Sequence, residues 1–263
     1  AREMAARGVR EITLLGQIVD RYGYDLDEIA AAEEMPLVTL LREIHAIEGF
    51  ERIRFLTSHP NWMKDALLHA VADLPKVCPH IEVPVQAGDD EVLRRMRRGY
   101  TVDEYRRLIG RIREIIPDVS IATDVIVGFP GETREHFEHT YELLKELKLD
   151  KAHIARYSSR PLTVATRNFE DALSHEEKER RRRRLDDLQA EILTERNARY
   201  LDREVEVLVE GRHERRDRWY GRTRRDRLVF FPSDDDWLGK MAKVKVTWAG
   251  PWSLVGEVVS AAD

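Results

Sequence analysis

Apolar positions in residues 10–157 follow two alternating patterns. Short apolar runs read as strands at 10–15 (Arg-Glu-Ile-Thr-Leu-Leu), 52–57, 80–85, 119–127 and 151–157. Between them the spacing turns helical. Leu37, Leu40, Leu41, Ile44 and Ile47 predict a helix over 37–48, with Gly49 as its stop. Asn61 can cap a helix through about residue 73. Asp89 starts a short helix, Thr101 or Asp103 a longer one ending before Pro117, and Thr133 caps 134–148. Strand–helix units in this order predict parallel strands with crossover helices, an α/β class built as a barrel or an open doubly wound sheet. Either form binds ligands at the C-terminal ends of its strands. The polar residues gather there: Gly16-Gln17, Thr57-Ser58-His59-Pro60, Gln86-Ala87-Gly88-Asp89, Gly128-Phe129-Pro130-Gly131-Glu132 and Tyr157-Ser158.

The pattern then changes. Residues 174–200 predict one long helix, with Ser174 as N-cap and Glu177 completing a capping box. Leu185, Leu188, Ile192 and Leu193 form its apolar stripe. After Asp202 the period is two, with strands at 204–209, 218–223, 227–231, 241–247 and 252–259. Five short strands in so few residues predict a small all-β, OB-like closed barrel.

Composition narrows the possibilities. The 263 residues are 42% hydrophobic and 35% charged, a globular balance. No apolar run approaches the ~18 residues of a membrane span. The one cysteine, Cys78, cannot form an internal disulfide, and these residues alone cannot build a cysteine-held metal site. It precedes Pro79 and reads as a buried structural thiol. A reducing cytoplasm suits that composition. Residues 1–177 carry 24 basic and 32 acidic groups, whereas residues 178–227 carry 17 and 12. A basic stretch in a protein of net charge −5 points to a localised polyanion contact. The bland alternative is a solvated face laced with ion pairs. Arg181 and Arg183 in the run Arg180–Arg184, and Arg218, Trp219, Arg222, Arg224 and Arg225 farther on, combine guanidinium groups with stacking surfaces. Such surfaces suit unpaired RNA bases and phosphates, although any individual Trp can instead fill a barrel core.

Phosphate-loop and nucleophile-elbow motifs are absent from the sequence. His136 and His139 lie three apart without a third ligand and read as a surface pair, so no metal site is assigned. Two segments are far more specific: Pro84-Val-Gln-Ala-Gly-Asp-Asp-Glu-Val-Leu-Arg-Arg-Met-Arg-Arg-Gly-Tyr-Thr101 and Asp124-Val-Ile-Val-Gly-Phe-Pro-Gly-Glu-Thr133. With Leu14-Leu-Gly-Gln17 and Thr57-Ser-His-Pro60 they closely resemble the radical S-adenosylmethionine (SAM) methylthiotransferases. The tail resembles the TRAM domain, the small RNA-binding barrel of that family. Trp219-Tyr-Gly-Arg-Thr223 and Trp248-Ala-Gly-Pro-Trp252 resemble a tRNA-directed member more than one acting on a ribosomal protein.

The resemblance implies a partial radical SAM α/β barrel over 1–172, a connecting Arg-rich helix over 173–200 and a TRAM-like barrel over 201–263. It implies SAM binding by Gly16-Gln17 at the amino group and Gln86 toward the ribose or methionine. Arg98 would meet the carboxylate, Gly128 the adenine, and Asp124 would point into the same cavity. It implies tRNA, in its anticodon region, as partner, an electron donor for the parent enzyme, a monomer and no membrane. Ile18, Ala87 and the stretch Tyr157-Ser-Ser-Arg-Pro-Leu-Thr163 depart from the family pattern and bear on affinity or substrate. The [4Fe–4S] clusters would lie in the full-length parent. The first strand, its Cys-x-x-x-Cys-x-x-Cys loop and a further domain would precede residue 1, and residues 1–7 would end the helix after that strand. The chain alone is then expected to lack turnover, so no catalytic residue is assigned. Two rival classes are a stand-alone RNA-binding protein with a degenerate barrel, and a lyase. The second lacks a convincing acid–base pair among Asp124, Glu132 and His59.

Overall fold

The computed structural model describes residues 1–25, 34–159, 169, 171, 173–215 and 217–262. Five strands come first: β1 (Glu11–Leu14), β2 (Arg52–Phe55), β3 (His80–Glu82), β4 (Ser120–Val127) and β5 (Lys151–Arg156). β1 pairs with β2, β3 with β4 and β4 with β5, all in parallel. A bridge between Ile53 and Val77, and the Ser58 N–H donating to the Glu82 carbonyl at 3.3 Å, join the two pieces into one arc. Helices fill each crossover: α1 (Arg2–Ala6) precedes β1, α2 (Pro36–His45) leads to β2 and α3 (Asp65–Asp73) to β3. α4 (Asp90–Arg95) and α5 (Val102–Ile115) lead to β4, and α6 (Arg134–Leu147) to β5. This order is the partial α/β barrel.

The pleat of β4 shows why the arc is polar inside. Ile121, Thr123, Val125 and Val127 are fully buried, whereas Asp124 and Ile126 on the other face are only half-buried. Registered neighbours in a parallel sheet share a face. The inner face therefore carries Glu82, Asp124, Lys151 and His153.

Local signals set most boundaries. Asp89 accepts the Glu91 and Val92 N–H groups, and Thr101 and Thr133 each close a capping box. Two expectations need correction. Asn61 does not cap a helix. Its amide donates to the Gly99 carbonyl, Pro60–Trp62 forms a 3-10 turn, and α3 starts at Asp65. Ser174 does cap the last helix, α7 (His175–Ala198), but Glu177 does not complete the box. Its carboxylate is drawn instead to Arg180 and Arg181.

Gly88 shows how tightly α6 sits on the strand ends. A Cβ there would lie 2.5 Å from the Thr140 Cα, and the Gly88 N–H donates to the Thr140 hydroxyl at 2.9 Å. Gly88→Ala is expected to cost about 2 kcal/mol by overpacking; an unchanged urea midpoint would contradict that contact.

The tail forms a closed five-stranded barrel from β6 (Glu204–His213), β7 (Arg218–Arg222), β8 (Leu228–Phe231), β9 (Met241–Ala249) and β10 (Leu254–Ala261). Its core holds Val207, Val209, Val229, Phe231, Val244, Val246 and Leu254, with Trp219 and Trp237. The barrel seats its β7–β8 turn against the N-terminal ends of the core strands. Arg52 and Arg54 donate to the carbonyls of Arg222, Thr223 and Arg224. From the turn, Arg225 donates to the Asp118 carbonyl at 2.6 Å and Arg227 to the Asp150 carbonyl at 3.0 Å.

Candidate active site and nucleic-acid interface

The opposite end of the arc has a different chemistry. Thr57 and Gln86 are non-glycine residues in the left-handed region, at φ 67° and 73°. Each conformation costs of order 1–2 kcal/mol. Both lie just past the end of a core strand, where strained backbone commonly marks a binding site. Gln86 is pinned by its neighbours: its N–H donates to the Asp124 carbonyl at 2.8 Å, and its carbonyl accepts the Ile126 N–H at 2.9 Å.

Eleven buried side-chain polar atoms lack a partner among the described residues. Five belong to this end: Asp20 Oδ1, Ser58 Oγ, Arg98 Nε, Glu132 Oε1 and Tyr157 OH. An unsatisfied buried group costs about 1–3 kcal/mol, so such a concentration calls for a ligand or a working role. Asp20 is fully buried, and burial raises its carboxyl pKa to about 6 although it accepts the His59 N–H. Burial, then the Arg98 charge, pulls His59 below its ordinary value. Burial raises Asp124, which His153, Arg98 and Lys151 oppose. The end thus mixes hydroxyl and guanidinium donors with carboxyls that burial raises.

At this end Gln86 bonds to the Asp124 backbone, and the Arg98 charge acts on the Asp124 carboxyl. Gly16 and Gln17 sit at the rim, both exposed. Gly128, at φ 74°, does permit a close approach, but the atoms that make it are the Lys178 stem on α7. Asp20, Lys178 and Arg181 were not legible as part of this end, because their partners are far away in sequence. Arg160–Thr163 lies outside the described residues.

The expected RNA contacts sort differently. Arg183 is 71% exposed and Arg218 half-buried. Trp219 fills the barrel core and donates its indole N–H to the Ser233 carbonyl. Arg181 is buried against Glu132. Arg224 and Arg225 serve the seam, donating to the carbonyls of Val77 and Asp118. Each of those four side chains has an intramolecular partner. Arg222 divides its contacts: its carbonyl faces the seam and its side chain reaches Asp226 and Glu210.

A shallow groove on the barrel combines guanidinium groups with aromatic rings. Its lining combines Arg212, Arg215 and Arg222 with His213, Tyr220, Leu228 and Phe230, and includes two carboxylates, Glu210 and Glu214. The Phe230 ring packs on His213 and Tyr220 at 6.2 and 6.0 Å between centroids. Stacking surfaces flanked by guanidinium groups bind single-stranded nucleic acid. Arg212 stands on β6 opposite Trp219 of β7, so only strand pairing brings it to the Trp-Tyr-Gly-Arg segment, and Arg215 lies in the turn between the two strands.

A family model described as the radical SAM superfamily matches residues 1–144, and one for the TRAM domain matches residues 198–259. The tRNA-2-methylthio-N(6)-dimethylallyladenosine synthase of Roseiflexus sp. (strain RS-1) is 55% identical over 258 residues, covering 97% of this chain and 53% of that protein. Proteins of the same name from Herpetosiphon aurantiacus and Chloroflexus aurantiacus are 52% and 51% identical, over 98% and 97% of this chain and 58% and 54% of their own lengths. The chain spans about half the length of the curated relatives it matches.

Proposed function

The chain belongs to the radical SAM superfamily and ends in a TRAM domain, and on that basis we propose that it is the C-terminal part of a tRNA methylthiotransferase. The parent adds a methylthio group to C2 of an isopentenyl-adenosine next to the anticodon. The observation that carries this reading is the identity of about half over nearly the whole chain to synthases of that name. The strand-end cluster supports it. SAM brings a carboxylate, an ammonium, a ribose diol and an adenine, and the unpartnered Arg98, Ser58, Tyr157 and Asp20 atoms offer donors and acceptors of matching kind. Arg98 suits the carboxylate, and a guanidinium fork is the strongest neutral-pH partner for one.

In the parent, a [4Fe–4S] cluster and SAM supply the radical that activates the base, with an electron donor. The single cysteine of this chain, Cys78, is 1% exposed beneath the barrel seam, and burial raises its thiol pKa. In this reading Cys78 is a structural thiol, these residues contribute to SAM and RNA binding, and cluster ligation falls to the parent. The chain by itself is inactive in this reading. No described helix is long and apolar enough to cross a membrane. From the kinship with the tRNA-directed synthases we further propose a cytoplasmic monomer.

The RNA half of the proposal is tested on this chain. An anticodon stem-loop should bind with an affinity that falls steeply with salt, because phosphate contacts release counterions. Arg212→Ala with Arg215→Ala should weaken binding about tenfold and lower the salt slope by about 2. An unchanged slope would remove the barrel groove from the interface. The catalytic half is tested by joining the chain to the N-terminal half of the Roseiflexus relative. Methylthiolated adenosine in the tRNA digest is the expected result; RNA binding without modification would favour a binding protein that has lost catalysis.

A further inference from the structure

The five-arginine run divides. Arg180 and Arg183 project outward, 76% and 71% exposed, while the Arg181 side chain is 5% exposed. Its Nη1 donates to Glu132 Oε2 at 2.7 Å and to the carbonyls of Glu132 and Thr133 at 3.3 and 3.2 Å. Its Nε donates to Glu177 on the same helix at 2.9 Å. The same Glu132 oxygen accepts the Gly128 N–H at 2.5 Å. Glu132 is itself buried, which pushes its carboxyl up, while the Gly128 N–H and Arg181 hold it down. One carboxylate oxygen thus ties the Arg181 guanidinium to the Gly128 backbone.

One turn earlier, Lys178 packs its stem on Gly128. Its ammonium meets Asp171 at 2.5 Å and lies 5.3 Å from the Tyr157 ring centre. Phe129 meets the same ring edge-on at 5.3 Å. The first turns of α7 thus hold the 128–132 turn in two ways, by charge through Glu132 and by packing through Lys178.

We propose that Arg181 is a positioning residue for this turn: acting through Glu132, it sets the backbone against which the adenosyl group of SAM rests. It does so without touching the ligand and takes no part in RNA contact. The inference rests on the reading that this turn receives SAM. It assigns different work to neighbouring arginines, with Arg181 serving the cofactor turn and Arg180 and Arg183 facing outward.

The test uses the whole chain with Arg181→Lys and Arg181→Met. Lysine keeps the charge but, as a point donor, cannot reproduce the planar guanidinium's spread of bonds to Glu132, Thr133 and Glu177. S-adenosylhomocysteine binding is measured by calorimetry, anticodon stem-loop binding by fluorescence anisotropy, and folding by thermal unfolding. The expected result is an affinity for S-adenosylhomocysteine about tenfold weaker in Arg181→Lys and weaker still in Arg181→Met. RNA affinity should stay within about twofold in folded samples of both. Loss of RNA affinity with the nucleoside affinity unchanged overturns the inference and makes Arg181 an RNA contact. Parallel loss of both, tracking the unfolded fraction, overturns it in favour of a purely structural ion pair. Equal nucleoside affinity in all three proteins also overturns it. Failure of the unmutated chain to bind S-adenosylhomocysteine at all is a different result, which overturns the SAM reading of the turn and the inference with it.

Discussion

Asp150→Ala is expected to destabilise the folded chain by about 3–5 kcal/mol, the range for removing one partner of a buried charge cluster. The Asp150 side chain is 1% exposed and has several partners. It accepts the Ile121 N–H at 3.1 Å and the Arg196 guanidinium at 2.9 and 3.0 Å, and it pairs with Arg227. One carboxylate therefore joins β4, α7 and the β7–β8 turn of the barrel. Alanine would leave Arg227 buried without its carboxylate and Arg196 without its fork. Urea unfolding followed by tryptophan fluorescence reads the effect, since all the tryptophans except Trp62 lie in the barrel. Asp150→Asn keeps an acceptor and should cost less. A loss below about 1 kcal/mol in the alanine variant would show that the seam contributes little to stability.

His80 should make the same seam sensitive to acid. The ring is 5% exposed, with Nδ1 3.2 Å from the Ser120 hydroxyl. Burial is the largest cause that lowers its pKa, to about 4; Arg54 and Lys151 add to that, and Asp226 and Asp150 oppose it. An unfolded chain takes up this proton as pH falls through about 6.5, whereas the folded chain refuses it until about 4. The stabilisation is thus complete above pH 6.5 and is lost progressively as pH falls toward 4. It amounts to about 3 kcal/mol for a group this buried. Replacing His80 with Gln removes the titration. The stability gap between the two proteins should shrink between pH 7 and pH 4.5, and a constant gap would rule out His80 as the titrating group.

The elements themselves were readable because their causes are local. β1 to β5 lie within the predicted strands, and Asp89, Thr101, Thr133 and Ser174 cap helices as their side chains require. The barrel strands follow from period-two alternation closed by turn residues. Asn61 failed because a distant carbonyl, that of Gly99, competed for its amide. The gathering of polar residues at the strand ends was legible, since each follows a predicted strand in sequence. Tyr157 was legible there too, whereas Asp20 was not, because it carries no pattern of its own and its partner, the His59 N–H, lies 39 positions away.

What the sequence determined was the order of units, the change from an α/β core to a β barrel, and the concentration of arginine after residue 177. What only the tertiary structure decided was which arginines turn inward. Arg52, Arg225 and Arg181 bond to groups 170, 107 and 49 positions away. A guanidinium reads the same in a run of five whether it ends in water, on RNA or on a buried carboxylate. The difference lies in whether folding brings an acceptor within about 3 Å and excludes water from the pair. That is a property of the packed strands and helices, not of the run.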